Sequence, residues 1–393
     1  MNKKNKILII IIVIFLIGFV FERINTNKSN VYEEQNVSSI KKDKELLSMN
    51  LEQTAGAGDY KTVTQSSWPT EGYVFNEELS KCENGSTLSW DDTKKAVIVS
   101  GNLSDKCYVY FDIYMPSSIK DFCSGGTSLA TCVKNFGNQG SDISNIYIHN
   151  SSLTNGAGDN SYRYAGASAS VNNYICLGSD VATCPDANLF RIIGVFGDQV
   201  KVIRAKSVGD KQWHTSNDNT WSSSSLNTYL NGEYLTSLGT LAEKIAITTW
   251  KVGGGTEANI SQSVPATAYQ YEVGSSASTT TVDKKIGLMY VSDYYYGASP
   301  SAWTLVGYKK SEATKDYRAA TSTNWLYLGS TEWTISRNSG YTYLAFLVNS
   351  AGDVYYSGYV PNSLAVRPSF NLESSVKYIS GSGSMSDPVR VTD

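Results

Sequence analysis

Residues 325–372, WLYLGSTEWTISRNSGYTYLAFLVNSAGDVYYSGYVPNSLAVRPSFNL, are the densest run of aromatic and apolar residues beyond the N-terminus, and their pattern decides the fold class. Tyr343–Val348 alternates apolar and small residues with the period of a strand. Asn349-Ser350-Ala351-Gly352 supplies turn chemistry, and Val354–Tyr359 returns as the partner strand. A further strand is expected through Leu364–Leu372, with Pro368 at an edge or bulge because proline cannot donate to a ladder. Trp325, Trp333, Arg367 and Pro368 are read as structural residues of this β-rich core.

Moving towards the N-terminus, Leu189–Phe196 and Gln199–Ile203 flank Gly197-Asp198 as a hairpin. Ser222–Ser225 caps the clearest helical segment, which places Leu226, Tyr229 and Leu230 on one face, and Thr240–Glu243 has the form of a capping box. Gly253–Thr281, rich in Gly, Ser and Thr, reads as a long surface loop. Lys285–Val291 reads as a buried strand, and Ser292–Tyr296 opens another loop. Together these elements predict an α+β fold, mostly antiparallel β with two or three short helices and long loops, over residues 161–393.

The preceding chain divides by composition. Residues 67–118 carry short strand-like runs separated by turns and read as a small β unit, and residues 119–160 read as a loop-rich connector. Residues 24–66 are polar and mixed in charge, the composition of a flexible stalk. Lys3, Lys4 and Lys6 precede the apolar run Ile7–Phe21, which is closed by Glu22-Arg23. As a helix this run spans about 22 Å against a hydrocarbon core of ~30 Å, a deficit that snorkelling by Lys6 and Arg23 covers. No small-x-small cleavage site follows it, so residues 7–23 are expected to be an uncleaved transmembrane signal-anchor, with residues 1–6 cytoplasmic and the body outside. Cleavage, the alternative, would release the body as a secreted protein.

Six cysteines, Cys82, Cys107, Cys123, Cys132, Cys176 and Cys184, all lie beyond the apolar run. An even number in an exported chain predicts disulfides, and closeness in sequence favours 82–107, 123–132 and 176–184 among the fifteen possible pairings. With no C-x-x-C and only two histidines in the chain, no zinc site is expected, and no other metal or cofactor. The formal charge of −3, without a basic stripe in the body, gives no reason to expect nucleic-acid binding. The 27 tyrosines against 11 phenylalanines suit an extracellular β surface, where tyrosine joins apolar area to a hydrogen-bonding tip.

Trp221-Ser222 through Leu226-Asn227-Thr228-Tyr229-Leu230-Asn231 resembles a helix motif of a bacterial extracytoplasmic domain of unknown function. Lys285–Met289, Asn324–Leu328, Phe346–Val354 and Ala365–Leu372 are similar to its remaining landmarks, in the same order, so the likeness extends over residues 161–393. It implies an exported protein of Gram-positive bacteria. The Trp-rich element followed by a hairpin and an Arg-Pro strand is also similar to the end of a C-type-lectin or formylglycine-generating-type fold, which implies a lectin-like core. A lectin calcium site would need carboxylates at Val360-Pro361-Asn362 and Trp325-Leu326-Tyr327, which have none, and oxidase chemistry would need cysteines after Cys184, where there are none.

No catalytic signature is legible, and no catalytic residue is assigned. His149 and His214 lack triad partners and read as surface or structural groups. Glu332 with Asp293 is a conceivable glycosidase pair, although hydrogen-bonding or capping roles are commoner for such carboxylates. Arg367 reads as a partly buried group paired with a carboxylate or carbonyls rather than as an anion site. Tyr294, Tyr295, Tyr296 and Trp303 are the ligand-binding candidates, as loop aromatics able to stack on sugar rings or partner surfaces; the alternative has them packing beneath Gly253–Thr281. The expectation is a non-catalytic, lectin-like surface module that binds a cell-surface glycan or protein. A wall-active hydrolase with paired carboxylates and a structural assembly subunit are the alternatives.

Overall fold

A computed structural model describes residues 47–64, 67–69, 71–102, 104–305 and 320–392. The apolar run Ile7–Phe21 and the N-terminal part of the expected stalk lie outside these residues. Among the described residues no helix is long and apolar enough to cross a membrane. The chain forms two compact units, divided after Pro116.

The first unit contains β1 (Leu47–Glu52), β2 (Tyr60–Val63), β3 (Tyr73–Phe75), β4 (Lys81–Cys82), β5 (Thr87–Asp91), β6 (Ala96–Ser100) and β7 (Cys107–Ile113). One sheet runs β2-β1-β7-β3 with β4 also on β7, and β5 and β6 form a separate hairpin. Residues 47–63, assigned to a flexible stalk by their polarity, are therefore strands of the sheet. Met49 and Leu51 alternate inward beside Val109 and Phe111, and two such residues are enough to commit a short, otherwise polar strand to a core. Glu52, fully buried, accepts hydrogen bonds from the backbone N–H groups of Gly58 and Ile113. Cys82 and Cys107 face each other across β4 and β7 and are disulfide-bonded.

The second unit is α+β and mostly sheet. Its strands are β8 (Ile146–Ile148), β9 (Tyr162–Tyr164), β10 (Tyr174–Cys176), β11 (Leu189–Phe196), β12 (Gln199–Arg204), β13 (Asp210–Gln212), β14 (Thr248–Lys251), β15 (Thr281–Lys284) and β16 (Ile286–Gly287). They continue as β17 (Glu332–Arg337), β18 (Leu344–Val348), β19 (Val354–Tyr359), β20 (Ser363–Ala365), β21 (Ser369–Leu372), β22 (Tyr378–Ser380) and β23 (Val389–Val391). A nine-stranded sheet has the order β16-β21-β12-β11-β10-β23-β22, with β9 on β11 and β8 on β9; a five-stranded sheet has the order β13-β20-β17-β18-β19.

The expected hairpin at Gly197 is β11–β12, with Gly197 at φ +64° in the turn. Both faces of its strands are buried, and at Gly194 an added Cβ would stand 2.2 Å from the Tyr162 carbonyl oxygen, so β9 can reach β11 only at a glycine. The expected strand Leu364–Leu372 divides at Val366–Pro368: β20 belongs to the five-stranded sheet and β21 to the nine-stranded one. Pro368, unable to donate, stands where the chain leaves one ladder for the other.

The expected connector belongs to this unit. Helix α1 (Leu129–Gly137) is capped by Ser128, which accepts from the Thr131 N–H. It buries Leu129, Cys132, Val133 and Phe136, the spacing of one helix face. Cys132 is bonded to Cys123, and Cys176 to Cys184. Helix α2 (Ser225–Tyr229) has Ser224 as its N-cap, as the serine run suggests. Gly239–Lys244 is a 3₁₀ turn without a side-chain cap, so the Thr240–Glu243 box does not form. Two further elements correct the loop readings. Gly253–Thr281 contains the helical turn Glu257–Ile260 and helix α3 (Pro265–Glu272), and Val291–Tyr296 is helix α4. The buried strand expected at Lys285–Val291 is reduced to β16 and gives way to α4 at Val291.

Candidate functional site

Tyr294, Tyr295, Tyr296 and Trp303 are all buried, which removes them as exposed stacking residues. Every residue of α4 is buried, so its side chains are inward on all sides. Tyr294 donates to the Gly352 carbonyl, Tyr295 to the Ile260 carbonyl and Tyr296 to the Asn155 carbonyl, while the Trp303 indole donates to Ala298. Tyr295 and Tyr296 pack against Gly253–Thr281 through Ile260 and Tyr269, the alternative weighed for the cluster, while Tyr294 reaches Gly352 and Trp303 packs on Tyr296 and His149. A tyrosine whose hydroxyl reaches a carbonyl can be buried at little cost.

Beneath α4 lies a network of buried charge that alternating hydrophobicity does not reveal. Asp293 on α4 receives Lys201 Nζ from β12 at 2.5 Å and Arg163 Nη1 from β9 at 3.3 Å. Arg163 Nη2 also bonds Asp159 at 2.8 Å. Asp293 additionally accepts the Tyr290 N–H, and Glu272 from α3 accepts the Val291 and Ser292 N–H groups, so two carboxylates satisfy the otherwise orphaned donors of the buried helix end. The Ser336 hydroxyl donates to Glu272 as well. Rings box in the cations: the Arg163 guanidinium lies 4.5 Å from the Phe196 centroid and 4.9 Å from Tyr296, and Lys201 Nζ lies 4.9 Å from Tyr290.

Burial sets the electrostatics here. Desolvation pushes the Glu272 carboxyl up, against the hydrogen bonds of Ser292 and Ser336, and lowers the Lys201 ammonium, against the pull of Asp293. Burial also works to raise Asp159, but Arg163 and the Ser161 hydrogen bonds outweigh it and hold the carboxyl at about 2. His149 is buried edge-on to Tyr296 at 4.5 Å, and its Nδ1 accepts the Ala157 N–H. Desolvation, with Arg163 nearby, lowers its imidazole to about 3, so it is neutral and structural.

The second carboxylate of the conceivable hydrolytic pair is equally committed. Glu332 on β17 is buried and receives Arg367 bidentately, Nε at 2.8 Å and Nη2 at 2.6 Å, while Nη2 also donates to the Leu326 carbonyl. This pair pins the point where the chain changes sheets. Trp325 and Trp333 are buried too, and their indoles donate to the carbonyls of Tyr164 and Lys211. Among the described residues no group of three or more His, Cys, Asp or Glu stands ready to hold a metal ion.

An exposed aromatic surface lies on the β18–β19 hairpin and the turn before it. Tyr341, Tyr343 and Tyr359 are 50%, 42% and 40% exposed, and their rings form a chain, Tyr341 to Tyr343 at 6.0 Å and Tyr343 to Tyr359 at 6.3 Å. The Tyr359 hydroxyl donates to Asn217 Oδ1 at 2.6 Å. Tyr355, 45% exposed, adds a fourth ring on β19, the edge strand of the five-stranded sheet. These tyrosines sit in the stretch that fixed the fold class, where the same alternation that marks a strand hides which face is wet.

The fold and site thus define an α+β domain with a buried ionic centre and a tyrosine-bearing edge. Residues 197–374 match the family model of a domain of unknown function, DUF6273. The match runs from the β11–β12 turn to just past β21. It includes Lys201, Glu272, Asp293, Glu332 and Arg367, but neither Arg163 nor any cysteine. No curated protein and no solved structure matches the chain.

Proposed function

We propose that this is a membrane-anchored bacterial surface protein whose second unit binds a cell-surface glycan, without catalysis, through Tyr341, Tyr343 and Tyr359. The exposed ring chain is the observation that carries this reading. Tyrosine offers broad contact area with few rotatable bonds and a polar tip, which suits the apolar face and hydroxyl rim of a sugar ring. The edge strand that bears Tyr359 is backed by the buried strand β18, so the surface is held rigid before any ligand arrives. Three disulfides support an exported body, and Ile7–Phe21 is the proposed anchor. The hydrolase alternative loses its named carboxylates, since Asp293 and Glu332 are each engaged with buried cations. Co-sedimentation of the full chain with purified cell-wall polymers tests the reading: the wild type pellets with them and Tyr343→Ala pellets less. Pelleting that is absent from the wild type overturns it.

A further inference from the structure

The first unit carries a groove of about 440 Å³ between β3 and the β5–β6 hairpin, lined among others by Tyr73, Phe75, Glu77, Trp90, Asp92 and Lys95. Its volume falls among the roughly 300–1,000 Å³ clefts that take small molecules. Tyr73, Phe75 and Trp90 are half-buried at the rim of the unit's core. Phe111 fixes two of these rings edge-on, Phe75 at 5.9 Å and Trp90 at 5.6 Å, which makes the aromatic wall rigid.

The charges in the groove do not balance. Asp92 accepts from Lys95 Nζ at 2.6 Å and from the Trp90 indole at 3.4 Å, so its charge is already countered. Glu77, also in the lining and exposed, has no cation within ion-pair distance among the described residues. Two carboxylates and one ammonium leave a single negative charge beside three aromatic rings. That is the complement of an organic cation, which the ring faces attract and the carboxylate neutralises.

We infer that this groove binds a small organic cation, an alkylated or quaternary ammonium group, with Tyr73, Phe75 and Trp90 as its wall and Glu77 as its counter-charge. The inference does not rest on glycan binding by the second unit. Calorimetric titration of the full chain with choline tests it against the alcohol in which carbon replaces the quaternary nitrogen. Choline is expected to bind and its neutral isostere to bind at least about tenfold more weakly, with added salt weakening choline alone. Trp90→Ala is expected to abolish binding. Because Trp90 also packs on Phe111, Glu77→Gln, at an exposed position outside the core, is the decisive variant and is expected to weaken choline several-fold without changing the circular dichroism. Equal binding of choline and its isostere, unchanged affinity in Glu77→Gln, or no choline binding by the folded wild type overturns the inference.

Discussion

At the scale of single residues, the second unit holds charges where a β-rich core ordinarily holds aliphatic groups. Asp293 is the hub: among the described residues it is the carboxylate ion-paired with both Lys201 and Arg163. Removing one partner of a buried pair leaves an uncompensated ion, which costs about 3–5 kcal/mol. Asp293→Asn is therefore expected to lower the stability of the second unit by at least about 3 kcal/mol, measured by urea unfolding; a loss below about 1 kcal/mol would mean the network is not structural. His149 has a different signature. Its folded imidazole titrates at about 3 against 6.5 for the free side chain, so between these values the unfolded chain holds a proton that the folded chain does not. Its contribution is complete above pH 6.5 and falls with pH by about 1.4 kcal/mol per unit. Glu272 and Glu332, raised by burial, act in the opposite sense, so the His149 share is read by difference. Wild type minus His149→Phe is expected to lose about 2 kcal/mol from pH 6.5 to 5. The same slope in both proteins would refute the assignment. The sequence reading had His149 as a surface or structural group and hydrogen-bonding or capping as the commoner role for Asp293, but it did not bring the two buried cations to Asp293. Lys201 between Val200 and Val202 does carry a signal, however: a charge inside an apolar run whose strand is buried on both faces needs a buried partner.

At the scale of elements, reading from the sequence succeeded where one local rule governed. The β11–β12 and β18–β19 hairpins followed from turn chemistry, and α2 followed from its serine cap. It failed where tertiary packing overrode composition. Helix α3 has almost no amphipathic pattern, because Pro265, Ala268 and Glu272 are its buried residues and Glu272 points inward to cap α4 and accept the Ser336 hydroxyl. Tyr294–Tyr296 looked like a loop for a related reason: a short helix buried on every side has no polar face to give it a period. The cysteine pairs were legible from proximity, and in the first unit the Cys82–Cys107 bond closes the one long excursion between β4 and β7. For a sequence separation of 25 residues its loss is expected to cost roughly 3 kcal/mol. Hydrogen exchange at the Val109 and Phe111 amides in Cys82→Ala/Cys107→Ala reads this directly, as a rise in exchange rate of about a hundredfold. Unchanged protection would show that the small core holds without its staple.

At the scale of the whole molecule, the α+β class was correct, but the division of labour along the chain was not. The connector's Leu129, Val133, Phe136 and Ile146 enter the large core, and the stalk's Met49 and Leu51 enter the small one. Short strands separated by polar loops resemble linkers until long-range pairing is known, and β1 lies parallel to β7 some 60 residues on. The aromatic surface was anticipated in kind and misplaced in position, because a Tyr-rich helix and a Tyr-rich edge strand look alike before burial is known. Buried carboxylates are expected to build the second unit, and the exposed tyrosines on and beside the β18–β19 hairpin are proposed to do the binding. Affinity for cell-wall glycan and thermal midpoint, measured together on the full-length chain, separate these roles. Tyr341→Ala/Tyr343→Ala/Tyr359→Ala is expected to lose glycan affinity by at least about tenfold with its midpoint nearly unchanged, while Glu332→Gln is expected to lower the midpoint with no cleavage of the polymer lost. Full affinity in the triple variant, or polymer cleavage by the wild type that Glu332→Gln abolishes, would contradict this assignment of roles.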